Sequence, residues 1–384
     1  MRLLTLTNLY PPQHLGGFGV ALERLTAAMA RRGWQCRVLS TDQAYLGPCG
    51  GDQAVMRQLR LLGTYQNGIQ HHPPGPELDC LRRHNHTTLA AILQEWRPDA
   101  CLLGNLDLLG LEPLQQLMAA GVPTVQHVGF LSPPFPRPLL PSGPYRMATA
   151  SAEVARELRR HGFATEADAV VHPPLDLSYL DPCVPSRCPA PALQIGFSGL
   201  LMPSKGPQVL LDAAHVLLER RLPFELVFAG KPFTPGFDLE LKQAAHRYGL
   251  DPCVRWLGFV QPEQLPDLYQ QWDVLVFPSL YPEAFGMVVA EAMACACVPI
   301  SSGVGGAFEV ITHGTNGLLV PPGDPQALAD VLTACIHDRT KLQRLGRRAQ
   351  NDSRRLYAPA RSAQRLETLF QQLMQRPVAG PALF

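Results

Sequence analysis

VLVFPSLYPEAFGMVVAEAMACACVPIS, Val274 to Ser301, carries the reading of the whole chain. Val274 to Phe277 is a four-residue apolar run, the length of a buried strand. The loop Pro278 to Gly286 follows. Phe285 to Cys295 is apolar and long enough for a helix, and Val298 to Ser301 reads as the next strand. Strand, loop, helix and strand in this span make a βαβ unit, whose strands run parallel. Two glutamates, Glu283 and Glu291, stand eight positions apart in it, one in the loop and one inside the helix. Gly286 opens that helix. Its first N–H groups lack internal partners and, with the helix dipole, favour an anion such as a diphosphate. Eight residues of helix rise about 12 Å, so one carboxylate can sit near a sugar and the other near a ribose. A carboxylate suits a sugar because both of its oxygens accept hydroxyl hydrogen bonds. On spacing alone, two unrelated glutamates on an Ala- and Val-rich helix remain the competing reading.

The same alternation extends in both directions. Toward the N-terminus, strands are predicted at Leu3 to Leu6, Arg37 to Ser40, Ala100 to Leu103, Pro123 to Val128, Met147 to Ala150 and Ala169 to His172. A helix with Leu22, Leu25 and Met29 on one face ends near Gly33, and residues 43 to 88 read as a long, partly helical excursion. Asp181 to Ala192 holds four prolines and reads as a linker. Beyond it, strands are predicted at Leu193 to Phe197, Glu225 to Phe228 and Val254 to Leu257, with helices at Pro207 to Arg220, Leu239 to Tyr248 and Pro325 to His337. The segment after Lys341 is helical and charged. The fold class expected is α/β, with two Rossmann-like, doubly wound parallel-sheet domains facing each other across a cleft. The expected domains are 1–180, a linker at 181–192, 193–355, and a C-terminal helical segment 356–384.

Composition narrows the function. At 384 residues, two domains are the natural prior. A formal net charge of +1 argues against nucleic acid as a partner. The ten Cys form no C-x2-C pairs, and the N-terminus MRLLTLTN reads as a strand rather than a leader, so free thiols in a cytoplasmic protein are expected. His71, His72, His84 and His86 lack accompanying carboxylates at ligand spacing, and no metal site is expected. No run of eighteen apolar residues spans a membrane.

Ligands of open parallel sheets bind beyond the carboxyl ends of the strands. Three loops of the second half qualify. Ser198 to Gly206, SGLLMPSKG, offers Gly199 for close approach and Lys205 as a charge for phosphate, with a solvated surface turn as the alternative. Pro278 to Gly286 delivers Glu283, and Gly303 to Ala307 is a flexible turn. In the first half, Gly16, Gly17 and Gly19 follow the first strand without the full G-x-G-x-x-G spacing, which disfavours a nicotinamide dehydrogenase. His127 ends the strand Pro123 to Val128, where it can point into the cleft or be structural.

Together these pieces resemble the retaining glycosyltransferases of family 4, the group 1 glycosyltransferases of GT-B fold. The likeness runs through NLYPPQHLGG (Asn8 to Gly17), PTVQH (Pro123 to His127), ASAEV (Ala150 to Val154), VHPPLD (Val171 to Asp176), FSGLLMPSKG (Phe197 to Gly206), VRWLGFV (Val254 to Val260), FPSLYPEAFG (Phe277 to Gly286) and GGAFEVITHGTNGLLVPPGD (Gly305 to Asp324). The resemblance implies transfer of a sugar from a nucleotide-sugar co-substrate to a hydroxyl of a glycan, glycolipid or small molecule, with retention and with no cofactor or metal. It implies that Glu283 and the backbone of Phe285, Gly286, Met287 and Val288 face the donor sugar and diphosphate, and that the C-terminal helical segment 356–384 packs back on the first domain. Glu291 would hold the ribose and Lys205 the phosphates, and the 257–260 region would border the base. Gly16 and Gly17 would approach the diphosphate, and His127 would lie near the reacting sugar. One departure stands out. The family pattern has Arg directly behind Gly199, and here it is Leu200, with Arg137 or Arg146 as candidate replacements. The alternative function is therefore a catalytically weak or inactive nucleotide-sugar-binding partner. The Pro-rich, apolar segment Phe130 to Tyr145 is placed to shape an acceptor site or to touch the inner face of a membrane.

Overall fold

The computed structural model describes residues 1–66, 68–139, 142–166, 169–180 and 190–375. Most of the expected linker, residues 181–189, lies outside the described residues. The chain divides into two compact units, Met1–Pro174 with Pro359–Phe384, and Leu175–Ala358. The cut thus falls between Pro174 and Leu175, ahead of the Pro-rich stretch. Leu175 N–H donates to the Tyr357 carbonyl at 2.9 Å, which ties the two ends of the second unit together.

In the first unit the order is β1 (Arg2–Leu6), α1 (Gly17–Arg31), β2 (Gln35–Thr41), β3 (Val55–Leu59), a small hairpin of β4 (Gly63–Thr64) and β5 (Gln70–His71), α2 (Pro76–Glu95), β6 (Ala100–Leu103), α3 (Glu112–Ala119), β7 (Thr124–Val128), β8 (Tyr145–Thr149) and α4 (Ala152–Arg160). The second unit runs β9 (Leu193–Ser198), α5 (Pro207–Glu219), β10 (Phe224–Ala229), α6 (Phe237–Arg247), β11 (Val254–Gly258), α7 (Leu265–Gln271), β12 (Val274–Phe277), α8 (Met287–Ala294), β13 (Val298–Ser301), α9 (Ala307–Val310), β14 (Leu318–Leu319), α10 (Pro325–His337) and α11 (Arg339–Leu356). The last helix, α12 (Pro359–Gln375), belongs to the first unit, where Leu366 and Phe370 enter the core with Leu22, Leu25 and Met29 of α1.

Each unit is built on a six-stranded sheet with its strands parallel, ordered β3-β2-β1-β6-β7-β8 and β11-β10-β9-β12-β13-β14. Numbered within its own unit, each sheet reads 3-2-1-4-5-6, the doubly wound order. The expected α/β fold class of paired Rossmann-like sheets is what the structure shows. The second core joins Ile195, Phe197, Leu226, Phe228, Val276 and Ile300 of the sheet to Leu210, Leu217 and Leu332 of the covering helices. Strands buried on both faces explain the unbroken apolar runs.

Two sequence expectations need correction. Residues 43 to 88 hold a main-sheet strand, β3, as well as most of α2; β3 reads VMRQL and is only partly buried at the sheet edge, so its apolar signal is weak. Ala169 to His172 is no strand: only Val170 bridges to Thr149.

Candidate active site

The doubly wound order places a switch point between β9 and β12, where the connections leave in opposite directions and the loops open a crevice. Lys205 and Glu283 come from the loops that follow these two strands. Their side chains meet there, with Lys205 Nζ 2.6 Å from Glu283 Oε1 and 2.7 Å from Oε2. Ser279 Oγ donates to Oε1 at 2.7 Å, and the Lys205 ammonium lies 5.5 Å from the centre of the Phe277 ring. Both members remain partly open to solvent, at 25% for Lys205 and 17% for Glu283.

Backbone contacts set this geometry. Gly206 has φ +71°, and a Cβ there would lie 2.0 Å from the Pro278 carbonyl oxygen. Only glycine lets the β9 loop turn into α5 against the β12 loop. Leu280 N–H donates to the Ser204 carbonyl at 2.8 Å and joins the same two loops. The Glu283 backbone is held from the other side by the turn after β13, through Gly306 N–H to the Glu283 carbonyl at 2.6 Å. A Cβ on Gly305 would lie 2.4 Å from the Glu283 carbonyl oxygen, so this turn also needs glycine. Ser302 Oγ donates to the Ser279 carbonyl. Loops that sit far apart in the chain thus form one rigid frame around a single carboxylate.

Gly286 caps α8 with φ +89°, and the helix proper starts at Met287 rather than at Phe285. Phe285 is buried, and its side chain packs edge-on against Tyr357, 5.1 Å between centroids. The N–H groups at Met287 and Val288 begin the helix and have no partner within it. Glu291 is 4% exposed on α8. It stands close enough to Tyr269 and Cys295 to help burial push both groups upward, Cys295 to about 12. Tyr269 in turn donates to Ser198 Oγ at 3.0 Å, at the carboxyl end of β9. Sequence reading did not single out Ser198, Tyr269 or Ser279. Each is a common residue whose role exists only through a contact distant in sequence.

In the first unit, Gly16 is the N-cap of α1 with φ +70°, and Gly17 is the first helical residue. His127 lies on β7 but is 1% exposed. Its Nε2–H donates to the Val171 carbonyl at 2.9 Å, and Nδ1 is buried without a hydrogen-bond partner. Burial lowers its pKa to about 4, so the ring is neutral near pH 7. Phe18 stacks on it at 6.1 Å between centroids and also meets Phe130 at 4.8 Å. The expected open histidine at a strand end is therefore a covered one. Arg146, the expected substitute for a cation at position 200, sits near the amino end of β8 and bonds to Glu166 and Gln372. Arg137 packs beside Gly162. Asp42, just past β2, accepts from Gln13 at 2.9 Å, the chief cause of its lowered pKa.

Residues 188–352 match the family described as glycosyl transferases group 1. The matched span takes in most of the second unit, Leu175–Ala358. Its Lys205, Glu283 and Glu291 all fall within the matched span. Among curated proteins, the chain is 35% identical over 198 residues to a D-inositol 3-phosphate glycosyltransferase of Corynebacterium urealyticum, covering 50% of this chain and 46% of the relative. A protein of the same description from Xylanimonas cellulosilytica is 34% identical over 245 residues, covering 60% of this chain and 58% of the relative. The chain thus spans about half the length of these curated relatives. Among solved structures, a glycosyltransferase from Rickettsia africae has a TM-score of 0.77 at 15% identity, covering 98% of this chain and 99% of that one. HepE of Anabaena, in complex with UDP and glucose, has a TM-score of 0.69 at 21% identity and covers 97% of this chain and 100% of that one. At these identities the structural likeness is one of fold alone. No helix among the described residues is long and apolar enough to cross a membrane.

Proposed function

We propose that this protein transfers a sugar from a nucleotide-sugar to a hydroxyl acceptor with retention at the anomeric carbon. The observation that carries the proposal is the Lys205–Glu283 pair at the β9/β12 switch point, next to the start of α8. The UDP and glucose bound by HepE support a uridine diphosphate sugar as the first donor to test.

Breaking the bond from sugar to diphosphate leaves the electron pair on the diphosphate. The chief catalytic need is preorganised positive charge at that leaving group. Lys205 supplies a full charge, and the first N–H groups of α8 supply partial ones. Glu283 pairs with Lys205 through both of its oxygens. An arriving diphosphate competes for the ammonium, and Glu283 is then released to accept hydrogen bonds from sugar hydroxyls while Ser279 holds it in place. Glu291 reads the ribose from within α8. Gly199 permits the close approach of the diphosphate, with Gly16 and Gly17 the matching positions of the first unit. No metal takes part. The acceptor is a glycan, a glycolipid or a small molecule, and a peripheral membrane contact through the exposed Phe130 and Leu139 serves the glycolipid case.

A thermal-shift screen with UDP-, GDP- and ADP-sugars tests the donor reading, since a specific ligand raises the melting temperature by mass action. A rise with one nucleotide class, followed by consumption of that donor with retained configuration in the product, is the expected result. No shift with any of them overturns it. A shift without donor consumption identifies a nucleotide-sugar-binding partner instead, a reading that Leu200 and the neutralised Lys205 favour.

A further inference from the structure

We infer that Lys231 is a second cation of the anion site in the second unit, standing in for the charge that position 200 lacks. The inference rests on the donor-diphosphate reading above. Lys205 is engaged by both oxygens of Glu283, so the pair presents no net charge to an incoming diphosphate. The loops after the six strands of this sheet, 199–206, 230–236, 259–264, 278–286, 302–306 and 320–324, contain only one other basic residue, Lys231.

Its position is fixed by the backbone. Ser198 pairs with Ala229 in the parallel ladder of β9 and β10, and Leu201 bridges to Pro232 beyond it. Carrying that register forward sets Leu200 across from Lys231, on adjacent chains about 4.8 Å apart. Gly199 N–H donates to the Ala229 carbonyl at 3.0 Å and Leu201 N–H to the Lys231 carbonyl at 2.9 Å, while Gly230 N–H donates to Gly258 at 2.7 Å. A Cβ on Gly230 would lie 1.7 Å from the Gly199 carbonyl oxygen, so the two loops are locked together at this point. The Lys231 side chain is exposed, and among the described residues it makes no ion pair. Its ammonium rests 5.7 Å from the ring of Phe259, itself 58% exposed at the end of β11. A weak, solvent-exposed cation–π contact is readily exchanged for a phosphate oxygen.

The test is calorimetric binding of UDP, GDP and ADP to the full chain, with the matching nucleosides as uncharged controls, at low and high salt. For the diphosphate that binds, Lys231→Ala should weaken affinity by about 10- to 100-fold, as expected for one charged hydrogen bond. The nucleoside should bind unchanged, and the salt dependence should fall. Lys231→Arg should keep the affinity. Leu200→Arg placed in the Lys231→Ala protein should restore most of it, because the new charge enters from the adjacent chain. A Lys231→Ala protein that binds the diphosphate as wild type does, with the same salt dependence, overturns the inference. So does an equal loss for nucleoside and diphosphate, which would make Lys231 a mere support for Phe259. Wild-type protein that binds none of the three diphosphates overturns the donor-site reading itself, a result distinct from either.

Discussion

At the carboxyl end of the first sheet, the strand-end side chain His127 is sealed under Phe18 and neutralised by burial; at the same end of the second, Lys205 and Glu283 stand partly in solvent as a charged pair. The strand order is the same in both units. The contrast shows that a doubly wound sheet supplies a place for chemistry and that its loops supply the chemistry. Glycines at 206 and 305 pull the loops of the second unit into backbone contact, which brings opposite charges together. In the first, Phe18 from the first turn of α1 stacks on His127.

The contrast is open to direct tests. The largest expected effect is on turnover. Glu283→Ala or Lys205→Ala should lower donor consumption by about 10²–10³-fold, the loss typical of removing a preorganised charge-stabilising group. Steady-state rates at wild-type level in either variant would remove the second unit's claim to the chemistry. Next is Gly206→Ala, which forces both a positive φ and an overlap with Pro278. It should cost roughly 3–4 kcal/mol in urea unfolding, against about 1 kcal/mol for Gly33→Ala in the first unit, which has φ +88° but open space. Equal costs would show that the loop frame is not tight.

The pH dependence of stability probes the first unit. His127 has a folded pKa of about 4, below its ordinary value, so the unfolded chain binds more protons between the two values. The contribution is complete above about pH 6.5 and is lost as pH falls toward 4, by about 3 kcal/mol at most. His127→Gln should flatten this acid limb in melting temperatures recorded across that range. An unchanged limb would mean that the ring is not sealed. The smallest effect expected is none: turnover in a chelator should stay within about twofold of that in buffer, as a site working through Lys205 and helix N–H groups requires. A collapse of activity that added divalent metal restores would reject that mechanism.

Much of the second unit is legible in the chain. Val274–Phe277 and Val298–Ser301 are the observed β12 and β13 to the residue, because strands buried on both faces leave uninterrupted apolar runs. The loops carrying Lys205 and Glu283 follow from those strands. Less legible are β3, half-buried at an edge, and the short helices α3, α4 and α7, which have too few turns to establish a period over their flanks. The helix rise drawn between Glu283 and Glu291 is also shortened, since α8 begins only at Met287.

The sequence by itself determined where strands alternate with helices and which polar residues fall in the loops behind them, since apolar periodicity and glycine placement are local properties of the chain. Only the tertiary structure decided that Lys205 grips Glu283 from 78 residues away, that His127 is covered, and that Lys231 stands across from Leu200. Those facts depend on strand order and register, which arise from pairings between distant segments and leave no local trace.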